Sequence, residues 1–357
     1  MPTKTISLVH NETHVLHQSD TASPENPERL ERIIKYLRGR TTLFTDGIAK
    51  LVTGFSPAAL DDLKLVHDPN YIEVIERLCQ KGHVFLGDST YLAPNSFKAA
   101  LDAVGGTVEA VRGVLDGEYS SGFALVRPPG HHASADRFGG YCIFNNLAIA
   151  ARWAQRHRGV EKVMFVDLDA HAGNGTMRIF YDDPTVFTIS LHRDPHDYYP
   201  QDGFGHQIGT GKGRGYCANI EMPEGSGDEE YALAFDAIVM PLVGAFSPDL
   251  ILVPIGFDAH YTELHTGLQM TINGYHRLIS LLRGAQKPLV LGMEGGYNRA
   301  NPMIAHAVIH ALAGLQPPMT EEHDQLSAAA TRRVSTHTIL KGKLKEMRAL
   351  LADYHNI

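Results

Sequence analysis

Asp167, Asp169 and His171 stand at alternate positions in the run Asp167-Leu-Asp-Ala-His171. In extended backbone, alternate side chains share one side, so this run is expected to present two carboxylates and an imidazole together. Asp258 lies in a second run of the same character, Gly256-Phe-Asp-Ala-His260. Asp169, His171 and Asp258 would form a three-ligand set with one position open, the layout of a catalytic zinc. Two oxygens and a nitrogen are a fairly hard set, which Fe(II) or Co(II) also suits. A lone Asp-x-Asp or a lone His is usually a strand-end turn that caps the next helix. Here the matching context of a distant segment argues for a metal.

His131 and His132 follow Arg127-Pro-Pro-Gly130. Neighbouring imidazoles do not easily carry charge together, so their titrations couple. One neutral and one protonated ring would provide a general base and a general acid. Each needs an orienting group on its far nitrogen, for which Asp167 and Asn174 are the candidates. Tyr297 follows Gly295-Gly296, where glycine lets the backbone come close to a site. Its hydroxyl there would donate to a developing oxyanion; read alone, it is more simply a packed aromatic.

These residues share a placement. Apolar runs without polar alternation cover residues 123–126, 163–166, 186–191, 250–255 and 289–292, as expected of parallel strands covered on both faces. Helical patterns occupy 97–115, 146–156, 229–246 and 272–282. The alternation predicts one α/β domain over residues 1–357, with a polar helical segment from about 320 packed on it. The polar residues bunch in glycine-rich turns just after the strands, where parallel sheets bind ligands.

Composition narrows the class further. The 357 residues carry 32 Lys+Arg against 40 Asp+Glu, a net charge of −8. That balance argues against nonspecific nucleic-acid binding and suits a cationic substrate. Three cysteines without a Cys-x-x-Cys spacing make no disulfide framework, so a reducing, cytoplasmic location is expected. There is no apolar run of membrane-spanning length, and the N-terminus does not read as a signal peptide.

The ordered set SPENPERL (23–30), RPPGHHA, GGYCIFNN (139–146), DLDAHAGNGT, TISLH (188–192), GKGRGY (211–216), GFDAH and MEGGYN (293–298) resembles the histone deacetylase family of the arginase–deacetylase superfamily. The wording is most similar to the class II branch and to the bacterial and archaeal deacetylases and acetylpolyamine amidohydrolases. The resemblance implies a single α/β domain whose eight-stranded, mostly parallel sheet is flanked by helices, with a narrow tube leading to zinc. It implies zinc ligands at Asp169, His171 and Asp258, paired catalytic histidines at His131 and His132, and an oxyanion tyrosine at Tyr297. It also implies structural potassium at two sites. One would use Asp167, Asp169, His171, Ser190 and Leu191; the other, backbone oxygens near Phe180, Asp183, Val186 and Tyr216. Gly140, Tyr141 and Tyr199 match the substrate tube, Ser89 the rim residue that holds the substrate amide, and Arg29 the arginine of an acetate channel.

Two positions depart from the family pattern. Ala172 stands where the family usually has a second His. His265 stands at the rim position that is usually Leu, or Glu in a polyamine-specific branch, and Glu263 lies two residues before it. The function expected is zinc-dependent removal of acetyl groups from N-acetylated amines, most simply acetyl-lysine in proteins or peptides. An acetylated polyamine is the alternative substrate. More distant readings are an arginase-like binuclear manganese hydrolase and an inactive acyl-lysine-binding scaffold. Neither nucleic acid nor membrane is an expected partner, and homo-oligomerisation is left open.

Overall fold

The computed structural model describes residues 5–263, 265–323 and 330–357. Its strands are β1 (Ile6–Val9), β2 (Ala49–Val52), β3 (Val84–Gly87), β4 (Thr90–Leu92), β5 (Ser121–Ala124), β6 (Val163–Asp167), β7 (Val186–Arg193), β8 (Cys217–Met222), β9 (Leu250–Ile255) and β10 (Leu289–Met293). Eight of them form one sheet in the order β2-β1-β5-β10-β9-β6-β7-β8, and β3 and β4 form a separate hairpin. The chain divides into two compact units. The first holds residues 1–161, 173–179 and 288–295, and the second the remainder.

In the first unit, β2, β1, β5 and β10 run parallel, with Leu8 opposite Leu51 and Phe123, and Leu291 opposite Phe123. Helices Glu28–Arg38, Pro69–Cys79, Ser96–Leu115 and Asn146–Arg158 accompany them. The second of these starts cleanly because Asp68 accepts from Asn70 N (2.7 Å) and Pro69 needs no donor. Leu63, Ile72, Ile75, Val104, Ile143 and Phe144 pack into one apolar cluster.

In the second unit, β9, β6, β7 and β8 run parallel. β6 and β9 are direct neighbours, with Phe165 opposite Leu252, which brings the turns after them to the same end. Thr271 caps helix Ile272–Gly284, its hydroxyl accepting from Asn273 N and Gly274 N. The C-terminal helix Ala330–Leu351 packs on β8, seating Leu340, Leu344 and Leu351. Its Lys343 bridges Asp194 (2.9 Å) and Glu221.

Three expectations need correction. The strand expected at 123–126 is Ser121–Ala124, because Val126 onwards belongs to the Arg127-Pro-Pro turn. The helix expected over 229–246 is interrupted by a wide turn at Phe235–Val239. Strands β1, β2, β3, β4 and β8 were not expected. β1 and β2 are four residues each, and Lys50 and Glu221 break the apolar runs of β2 and β8. Among the described residues no helix is long and apolar enough to cross a membrane.

Candidate active site

Asp167 ends β6, and the chain then turns rather than continuing extended, contrary to the alternation expected from sequence. Asp167 Oδ1 accepts from Asp169 N (3.0 Å), and Asp169 Oδ1 accepts from His171 N (2.9 Å). Two successive side-chain-closed turns therefore gather the segment. Asp258, just past β9, reaches it from the neighbouring strand: its Oδ1 accepts from Ala170 N (2.9 Å). His171 Nδ1 lies 3.0 Å from Asp169 Oδ1 and 3.0 Å from Asp258 Oδ2. Both carboxylates are fully buried.

Two buried carboxylates in contact repel each other. Burial and the nearby Asp169 charge push Asp258 up to about 6. Burial works against a charged His171, but the hydrogen bonds to Asp169 and Asp258 outweigh it and hold the imidazole up at about 9. A divalent cation relieves this arrangement by taking the proton's place. The donor set fits one. With zinc–ligand bonds of about 2.0–2.1 Å, tetrahedral donors stand roughly 3.3 Å apart, close to the observed 3.0 Å. Gly256 is what lets the carboxylates in: a Cβ there would overlap Asp169 Oδ2 and stand 2.6 Å from Asp258 Oδ1. Gly256→Ala is therefore expected to abolish zinc binding while leaving most of the secondary structure, as metal analysis and far-UV circular dichroism would show.

One participant escaped the sequence reading. Tyr198, next to the expected Tyr199, stacks on His171 at 4.9 Å, and its hydroxyl lies 2.9 Å from His171 Nε2. With Nδ1 turned to the carboxylates, Nε2–H donates to Tyr198, fixing the ring. Tyr199 meets the same ring edge-on at 5.9 Å. Nothing in Asp197-Tyr-Tyr-Pro200 distinguishes the two tyrosines beforehand. Ala172 is buried and faces Gly203, whose Cβ position lies 2.7 Å from the Ala172 methyl. The 203 loop thus fills the space of the larger residue usual in the family pattern.

The expected potassium ligands lie in the same unit. Ser190 pairs with Asp167 across β7 and β6, with Leu191 next along the strand. The Phe180 carbonyl accepts from Asp183 N, the Asp183 carbonyl from Val186 N, and the Tyr216 carbonyl from Thr188 N.

Tyr297 is half-buried on the turn after Gly296, which has φ 101° and packs against Phe257. Glu263 is 8% exposed and accepts from Tyr297 N at 2.7 Å. It therefore does not stand at the rim. His265 is exposed, and Leu264 between them lies outside the described residues.

In the first unit, His131 and His132 are buried with ring centroids 4.0 Å apart. Asn174 Oδ1 lies 2.8 Å from His132 Nδ1, as the sequence suggested. Gly140, at φ 47°, leaves room for the His132 ring, since a Cβ would overlap it. Glu294 was not singled out from sequence, yet its Oε2 accepts from Gly130 N (2.7 Å) and His131 N (3.1 Å). It clamps the histidine turn from the neighbouring strand β10. Arg29 donates to the Glu294 carbonyl (2.6 Å) and to Glu25 (3.1 Å). Glu25 also takes both arms of Arg127. Although burial opposes it, the Arg127 charge holds the Glu25 carboxyl down at about 2. Ser89, on the exposed tip of the β3–β4 hairpin, bonds the Tyr141 hydroxyl. The tip is fixed by Gly140 N donating to Asp88 O and Tyr141 N to Thr90 Oγ1.

A histone deacetylase domain matches residues 23–315. The chain is 37% identical over 356 residues to a probable deacetylase of Archaeoglobus fulgidus, covering 97% of this chain and 98% of that protein. It is 36% identical over 316 residues to histone deacetylase 10, chloroplastic, of Oryza sativa subsp. japonica, covering 80% and 70% respectively. The crystal structure of the HDA15 HD domain superposes with a TM-score of 0.84 at 32% identity, covering 98% of each chain. The chain belongs to the histone deacetylase family, with the α/β fold and eight-stranded parallel sheet of that family. Deacetylation is the activity this membership supports.

Proposed function

We propose that the chain is a zinc-dependent deacetylase acting on acetyl-lysine in proteins or peptides. The observation that carries the reading is His171 Nδ1, equidistant at 3.0 Å from two buried carboxylates. Asp169, His171 and Asp258 would hold the metal, and a zinc there would supply Lewis acidity to activate a water and polarise the amide carbonyl. Asn174 accepts from the Nδ1–H of His132, leaving its Nε2 as the working nitrogen. His131 and His132 share the proton work: one accepts from the attacking water, and the other donates to the leaving amine. Tyr297 donates its hydroxyl to the developing oxyanion. The products are acetate and a free amine, with Arg29 assigned to acetate release. Asp167, Ser190 and Leu191 serve one structural potassium with Asp169 and His171. Phe180, Asp183, Val186 and Tyr216 serve the other. A cytoplasmic location is assigned from the reducing setting that the cysteine pattern suits.

The substrate assignment rests on the rim. A polyamine carries further positive charge beyond its acetylated nitrogen and calls for an acidic group there. Glu263, the nearest acidic candidate, is buried against backbone, whereas His265 is exposed. Ser89, Gly140, Tyr141 and Tyr199 are assigned to gripping and lining the acyl-lysine path. Metal analysis is expected to find one zinc per chain, against the two manganese of an arginase-like centre. In a turnover panel, kcat/KM is expected to be higher for acetyl-lysine peptides than for acetylspermidine or acetylputrescine, and His265→Glu to shift the ratio toward the polyamines. A tenfold preference of the wild-type protein for acetylspermidine, about 1.4 kcal/mol in the transition state, reverses the substrate assignment.

A further inference from the structure

We infer that Glu263 is a positioning residue that sets where the Tyr297 hydroxyl stands. This rests on the reading above, in which Tyr297 holds the oxyanion. Glu263 Oε2 accepts from Tyr297 N at 2.7 Å and from Asn298 Nδ2 at 3.3 Å. The same Asn298 amide donates to Phe257 O at 2.8 Å, one residue before Asp258. Asn298 Oδ1 accepts from Ala300 N, and Asn301 Nδ2 donates to Gly296 O. The Tyr297 turn is thus pinned to the segment that carries Asp258, and Glu263 supplies the one charged acceptor among these bonds.

The Glu263 carboxylate is itself held. Glu263 N donates to His260 O (2.8 Å), and its carbonyl accepts from Thr266 Oγ1 (3.3 Å). A buried carboxylate is costly unless hydrogen-bonded, and charge-assisted bonds to N–H groups are the strong ones. Its partners here are the backbone of Tyr297 and the side chain that fixes the next residue. An ordinary loop staple would have no reason to select that amide. Oxyanion stabilisation depends on the donor standing 2.7–3.1 Å from where the charge develops, so a shift of the Tyr297 backbone passes directly into the rate.

The test is a double-mutant cycle on the zinc-loaded protein with an acetyl-lysine peptide. Glu263→Met keeps length and bulk but removes the acceptor; Glu263→Gln keeps one oxygen for the Tyr297 amide. Glu263→Met is expected to lower kcat by about 10-fold to 10²-fold, with KM and zinc content near wild type and most of the rate recovered in Glu263→Gln. In a Tyr297→Phe background the same Met substitution is expected to change kcat less than about twofold, because coupled residues are non-additive. Equal losses in both backgrounds, or loss of zinc in Glu263→Met, overturn the inference alone. A wild-type rate in Tyr297→Phe by itself removes the oxyanion role given to Tyr297 above, and this inference with it; absence of zinc-dependent turnover in the wild-type protein overturns the deacetylase reading itself.

Discussion

Asp258→Ala is expected to yield a folded protein without zinc and with kcat/KM reduced by at least about 10³-fold, since metal polarisation supplies several kcal/mol of transition-state stabilisation. Asp258 is far from Asp169 and His171 in sequence and reaches them through the adjacency of β9 and β6. The substitution leaves His171 Nδ1 facing one carboxylate instead of two. It also strands Ala170 N, which Asp258 Oδ1 accepts from, at a cost of about 1–3 kcal/mol for an unpaired buried donor. Removing the repulsion from Asp169 acts in the other direction, so the fold is expected to survive. Metal stoichiometry by mass spectrometry, beside a thermal melt, decides the matter. Full zinc occupancy in this variant would remove Asp258 from the ligand set.

Tyr297→Phe keeps the ring and deletes only the hydroxyl. Loss of one oxyanion donor costs on the order of 10²–10³ in kcat, and a loss of that size is expected with zinc content unchanged. Glu263 holds the backbone amide of residue 297, not its side chain, so the turn is expected to stay in place in this variant. KM is expected to change little, because the hydroxyl is assigned to the transition state rather than to ground-state binding. Steady-state kinetics with one acetyl-lysine peptide separates the two parameters. A near-wild-type kcat would return Tyr297 to packing.

Much of this was legible in the residues alone. Apolar runs without alternation located the strands from which the functional turns depart, because strands buried on both faces leave no polar period. The run Leu250–Ile255 matches its strand residue for residue. The meeting of Asp169, His171 and Asp258 was legible because metal-binding residue types are seldom clustered after strands without a reason. That Asn174 would orient one of the two histidines followed from the need of a working imidazole for a fixed tautomer; that the histidine is His132 came from the structure.

Tertiary structure decided the rest. The Asp167–His171 segment closes in turns rather than extending, because its own carboxylates capture the following backbone amides, and alternation by itself does not register such bonds. Tyr198, not only Tyr199, reaches His171, because the direction of each ring is set by the turn and not by its neighbours in sequence. Glu294 and Glu263 have no motif-level mark as clamps. Each acts through a backbone amide, of the histidine turn and of Tyr297 respectively, and every residue except proline offers the same amide. Chemistry carried by side-chain identity could therefore be read from the sequence, whereas chemistry carried by the backbone depended on which chain segment the fold brought within 3 Å.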